Sequence, residues 1–201
     1  MKSTVIEKVN INDISRSGFG AAYSLMSESR RKKCDSLRRE DDRRLCIAAD
    51  MLLRKTLSSL TGIRENELEF YCEENGKPML TGGAAYFSIS HSGQIAAVAV
   101  NREHPVGIDI EKIAPVKAGI TRRICSSEEI LYIFSSPEIP SGEITDRKIL
   151  ERFFRVWTYK EAYVKMTGEG IDDNIRNVRY SPCDCYQELC DGYCLTVVTK
   201  E

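Results

Sequence analysis

One segment limits the folds open to this chain more than any other. Residues 146–167, DRKILERFFRVWTYKEAYVKMT, read as a single long helix. Ile149, Phe153, Trp157 and Val164 fall near one face, and Gly168 and Gly170 follow as stop signals. A helix with one apolar face has to lay that face on another layer. The same segment puts Glu161 four residues after Trp157, and Lys165 one turn beyond. An ordinary surface Glu–Lys pair explains the spacing, but not an acid beside the face that must be buried.

A second helical stripe runs through LCIAADMLLRKTLSSL. It carries Leu45, Ala48, Ala49, Leu52, Thr56 and Leu60, with Gly62 placed as a C-cap. The polar run before it, SESRRKKCDSLRREDDRR, reads as a solvated helix with i,i+4 pairs. Strands are predicted over residues 3–11, in AAYFSIS and QIAAVAV joined as a hairpin through HSG, and in PVGIDIEKI. ENGKPML is a turn, and SSEE at 126–129 is a capping box opening a helix to about Phe134. SSPEIPSGE is a loop, and two or three strands follow from 175 onward. Strand, helix, strands, helix, helix, strands is an α+β order rather than a βαβ series. Each half offers strand material and one long helix, and no low-complexity linker divides them.

The 201 residues suffice for a core. A net charge of −1 gives no global pull toward nucleic acid or an anionic membrane. No apolar run is long enough to span a bilayer, and MKSTVIEKVN has no secretion-signal core, which predicts a cytoplasmic protein. Eight cysteines in such a chain read as reduced thiols. Cys183, Cys185, Cys190 and Cys194 lack the paired spacing of strong zinc motifs, so neither zinc nor a disulfide is expected there.

In VGIDIEKI, alternation sends Val106, Ile108 and Ile110 to one face and Gly107, Asp109 and Glu111 to the other. Two carboxylates that close repel unless a cation sits between them. A solvent-facing strand accounts for them equally well. With Glu161 as a third acid, the set would suit Mg²⁺, which takes few carboxylates and accepts substrate phosphate oxygens. In FSISHSG, His91 stands at a strand end with Ser90, Ser92 and a Gly turn, donors that can receive phosphate. Lys77 and the basic run Arg30–Lys33 could add positive charge, although such runs are usually solvated faces.

NGKP, FSISHS, GIDIE and WTYKEAYVKMTGEG, in this order and spacing, resemble the 4′-phosphopantetheinyl transferases of the surfactin-synthetase-activating type. The likeness runs from about RRKKC to Gly170. It implies an α+β fold of two similar, pseudo-twofold-related halves, each a small sheet packed with a long helix. The halves would be residues 1–102, on the nucleotide side of a coenzyme A cleft, and 103–201, bearing the metal carboxylates and a carrier-facing helix. It implies transfer of phosphopantetheine from coenzyme A to a serine of an apo acyl or peptidyl carrier protein, releasing 3′,5′-ADP. Asp109, Glu111 and Glu161 would hold Mg²⁺, and Glu161 would also serve as base, directly or through water. Lys165 and His91 would touch the diphosphate, and Ser90, Lys77, Arg44, Arg30 and Lys33 would hold the nucleotide. The family usually has Asn where this chain has Ser88, and the stretch from RRKKC to REDDRR is one residue short. A monomer is expected.

Two rival readings use the same residues: another Mg²⁺-dependent phosphohydrolase acting on a diphosphate, and a non-catalytic scaffold of the same fold. A scaffold has no use for a buried acid cluster. The helix after Ser126, with Ile130, Leu131, Ile133 and Phe134 and the preceding Arg122 and Arg123, is the expected carrier-docking surface, unless it simply packs on the core.

Overall fold

A computed structural model describes residues 3–169 and 173–200, so Gly170 lies outside the described residues. The chain divides into two compact units, residues 1–106 with 200–201, and residues 107–199.

The first unit opens with β1 (Thr4–Asn10), followed by helices α1 (Arg16–Leu25), α2 (Glu28–Ser36) and α3 (Glu40–Thr61). Strands β2 (Phe70–Cys72), β3 (Pro78–Leu80), β4 (Tyr86–Ser92) and β5 (Ile95–Asn101) complete it. α3 ends as its sequence demands, with Gly62 at φ 77°, a conformation that costs other residues energy. The polar run before it is two helices rather than one. α2 closes at Leu37 and α3 starts at Glu40, and Cys34 of α2 is buried with Met26 and Cys46. That run is therefore not merely a solvated face. α1 carries no signal that the sequence reading used. β5 runs antiparallel between β1 and β4, and α3 covers this sheet through Leu53, Leu57, Phe87, Val98 and Val100.

The second unit comprises β6 (Val106–Lys112), β7 (Val116–Lys117), α4 (Ile120–Ile124), α5 (Ser127–Phe134), β8 (Glu143–Ile144), α6 (Arg147–Thr167), β9 (Tyr186–Cys190) and β10 (Tyr193–Thr199). Val106, the first residue of β6, belongs by its contacts to the first unit. The capping box forms as read, between Ser126 and Glu129. Asp146 caps α6, and Gly168 ends it at φ 79°. The tail holds two strands, joined through Asp191 and Gly192 at φ 52° and 81°, the left-handed pair that a two-residue hairpin requires. β6 follows the first hairpin in sequence yet belongs to the other sheet, in the order β6-β10-β9. Each unit is thus a three-stranded sheet with one long helix, and the whole is α+β.

α6 is buried much more fully than a single apolar stripe implies. Leu150, Phe153, Phe154, Val156 and Val164 join the main core of the unit, while Trp157 is only half-buried against it. Tyr159, Ala162 and Met166 pack in a second cluster with Val198. Among the described residues no helix is long and apolar enough to cross a membrane. The eight cysteines are free thiols; Cys194 is buried, Cys185 half-buried, and Cys183 and Cys190 exposed.

Candidate active site

β6 is buried on both faces. Val106, Ile108 and Ile110 are buried on one, and Gly107 and Asp109 on the other, with Glu111 half-buried at the end. A solvent-facing strand is therefore excluded as the account of these acids. Gly107 shows the cause: a Cβ there would overlap the carbonyl oxygen of Ala162 and stand 2.7 Å from Met166 N. α6 lies with its own backbone against β6, and only a residue without a side chain permits that approach. Asp109, two residues on, faces the same helix.

Lys165 meets Asp109 across this contact. Its ammonium donates to Asp109 Oδ1 at 2.6 Å, with Asp109 buried and the lysine side chain 29% exposed. The lysine's strong contact is thus on another element, not with Glu161 one turn back on its own helix. Glu161 is buried beside them. Burial chiefly, then the negative charge of Asp109, pushes its carboxyl from 4.5 up to about 7. Lys165 works in the opposite direction, and Glu111 adds a smaller upward push. Asp109, Glu111, Glu161 and Lys165 therefore form one electrostatic cluster, with more acid than base.

Among the described residues, no three of His, Cys, Asp and Glu stand close enough to hold a metal ion as they are. The chemistry of the donors nevertheless fits Mg²⁺. The three acids offer only carboxylate oxygens, as hard cations require, and a Glu161 whose carboxyl is driven toward its neutral form would gain from added positive charge.

The remaining predicted residues lie in the first unit. Ser90 and His91 are neighbours on β4, so they point to opposite faces of the sheet. Ser90 is buried opposite Ala97, together with Ser88 opposite Ala99, whereas His91 is exposed at the strand end. The sequence had suggested one cluster of hydroxyls around His91, and alternation divides it. Lys77 is half-buried beside β3, and burial lowers its ammonium's pKa. Arg44 donates to Ile11 O at 2.8 Å and lies over the Phe19 ring, so it braces α3 on the start of the chain. Arg30 reaches Asp50 at 3.8 Å, sharing that buried carboxylate with Arg54 at 2.8 Å. Lys33 falls in the last turn of α2.

Sequence reasoning missed Gly107 as a contact residue. It also missed Lys160, which is wholly buried beside Glu129. A glycine between apolar strand residues signals close backbone approach. A lysine next to a predicted site acid gives no such signal.

Residues 105–188 match the 4′-phosphopantetheinyl transferase superfamily, and residues 13–103 match the family described as 4′-phosphopantetheinyl transferase, N-terminal. The 4′-phosphopantetheinyl transferase Sfp of Bacillus subtilis (strain 168) is 30% identical over 149 residues, 74% of this chain and 62% of the relative. HetI of Nostoc sp. (strain PCC 7120 / SAG 25.82 / UTEX 2576), also a 4′-phosphopantetheinyl transferase, is 34% identical over 137 residues, 65% of this chain and 54% of the relative. The transferase psf-1 of Bacillus pumilus is 33% identical over 131 residues, 65% of this chain and 52% of the relative. In these three comparisons the chain spans between about half and three fifths of the relative's length.

Proposed function

The chain belongs to the 4′-phosphopantetheinyl transferase superfamily, and from that premise we propose that it moves the 4′-phosphopantetheine group of coenzyme A to a serine hydroxyl of an apo acyl or peptidyl carrier protein, releasing 3′,5′-ADP. The observation that carries the reading is the Asp109–Lys165–Glu161 cluster, in which a buried carboxyl has its pKa raised to about 7. With Mg²⁺ bound, the added positive charge would favour the Glu161 anion, the form that can accept the serine proton.

In the proposed reaction the serine oxygen attacks the phosphorus that carries pantetheine, and the bond to the nucleotide phosphate breaks. The serine proton passes to Glu161, directly or through one water. Asp109, Glu111 and Glu161 would hold Mg²⁺, which when bound neutralises charge on the diphosphate. Lys165 shifts from Asp109 toward the leaving phosphate, a compact cation suited to that task. His91, Ser90, Lys77, Arg44, Arg30 and Lys33 are proposed contacts of the diphosphate and nucleotide. The bonds that Arg44 and Arg30 already make favour a bracing role for both over direct binding.

The carrier surface on α5 is narrower than the sequence suggested. Ile133 is fully buried, and Ile130 and Phe134 pack against the core. Leu131 and Tyr132 remain exposed at 53% and 40%, with Arg122 and Arg123 exposed on α4. These four are the proposed carrier contacts, the arginines steering an acidic partner.

Incubation with coenzyme A, Mg²⁺ and an apo carrier, read by intact mass, tests the reading. A mass gain of one phosphopantetheine on the carrier is the expected result. Coenzyme A consumed with no carrier adduct would transfer the chemistry to a phosphohydrolase, and no consumption at all would leave a scaffold.

Lys165→Ala is expected to slow transfer by about tenfold or more and to raise the KM for coenzyme A, with Lys165→Arg restoring part of the loss. Wild-type kinetics in both variants would remove Lys165 from the phosphate.

A further inference from the structure

Lys160 precedes Glu161, and the proposed transfer gives it no task. It is nonetheless the largest fully buried side chain among the described residues, at 0% exposure. Its ammonium lies 2.9 Å from Glu129 Oε2 and donates to Val178 O at 2.6 Å and Ile175 O at 3.2 Å. Glu129, buried as well, accepts from the backbone N–H groups of Ser126 at 2.7 Å and Tyr180 at 2.9 Å. One buried pair thus ties together α6, the first turn of α5 and the chain at 175–180.

Stability alone does not account for such a pair. Apolar side chains of similar volume commonly serve as well or better, because two charges must be stripped of water. What the pair adds is direction. An ammonium held by one carboxylate and the carbonyls of Ile175, Arg176 and Val178 has one place to be, whereas a flexible apolar chain has several. Successive residues leave a helix about 100° apart, so Lys160 and Glu161 take different bearings from the same point on α6. Lys160 turns to Glu129, and Glu161 turns to the side where Asp109 lies. Gly107 lets α6 come close to β6 but has no side chain with which to fix the rotation of the helix about its axis.

We infer that the Lys160–Glu129 pair sets the roll of α6 over β6, which makes Lys160 a positioning residue for Glu161. The structural consequence is a property of the fold alone. The kinetic consequence rests on the proposed transfer.

The experiment compares the wild-type chain with Lys160→Met/Glu129→Gln and with the milder Glu129→Gln. Hydrogen exchange reads the seating of α6 without reference to activity. Amides of residues 161–166 and 109–111 are expected to exchange about tenfold faster in the double variant, while those of 97–99 in β5 of the first unit stay unchanged. Steady-state kinetics are expected to show kcat reduced by about tenfold and, because Lys165 rides on the same helix as Glu161, a KM for coenzyme A raised no further than in Lys165→Ala. Unchanged exchange at 161–166 overturns the inference, and so does faster exchange with wild-type kcat. Uniform acceleration that extends to β5 of the first unit also overturns it, by showing a general loss of stability. Should the double variant fail to fold, Glu129→Gln carries both readouts. Should the wild-type chain transfer nothing, the proposed function falls and exchange alone decides whether the Lys160–Glu129 pair sets the roll of α6.

Discussion

Glu161→Gln is expected to lower transfer by about a hundredfold or more, as removal of a principal electrostatic group does. It is also expected to make the metal-free protein more stable at pH 8. The second effect follows from the sign of the shift. The Glu161 carboxyl stands at about 7 in the folded chain, against 4.5 for the ordinary group. The folded state therefore holds a proton that the unfolded state has released, between about pH 4.5 and 7. Its contribution to stability is fully present below the lower value and is lost as pH rises through the upper one. At pH 8 the wild-type chain keeps a buried anion at a cost of roughly 2–3 kcal/mol. Glutamine carries no such charge. Urea denaturation of both chains at pH 5 and pH 8 measures the effect: the glutamine variant should be the more stable at pH 8, with most of the advantage gone at pH 5. A variant no more stable than wild type at pH 8 would show that Glu161 is not held under strain. Near-wild-type transfer would remove it from the chemistry.

Gly107→Ala is expected to destabilise the second unit by about 3 kcal/mol or more, at the upper end of what overpacking costs. The added methyl would meet the carbonyl oxygen of Ala162 and stand 2.8 Å from the carbon of that carbonyl. These are backbone atoms inside a 21-residue helix, so no rotamer change makes room. Either α6 lifts from β6 or the strand bends away. Both movements would separate Lys165 from Asp109, which are now in contact at 2.6 Å. Loss of activity should therefore accompany loss of stability, even though Gly107 has no side chain to take part in the reaction. A urea midpoint close to wild type would mean that the strand and helix are not in backbone contact.

Much of this protein was legible in the order of its residues because it depends on near neighbours. The apolar stripe of Leu45 to Leu60, the αL glycines at 62 and 168, and the Ser126–Glu129 box are all local. They fixed α3, α5 and α6 to within a residue or two of the structure, apart from the start of α3. Period-two alternation put Asp109 and Glu111 on one face of β6, and the helical period put Glu161 and Lys165 one turn apart. Tertiary structure decided where each charge goes, because a buried charge takes its partner from whatever the fold brings near. Lys165 pairs with Asp109 across 56 positions of sequence, and Lys160, five residues earlier on α6, pairs with Glu129 on α5. No periodicity distinguishes the buried lysine at 160 from the half-exposed one at 165. Only the packing of α6 does so, since it closes one side with α5 and the 175–180 chain and the other with a glycine-bearing strand.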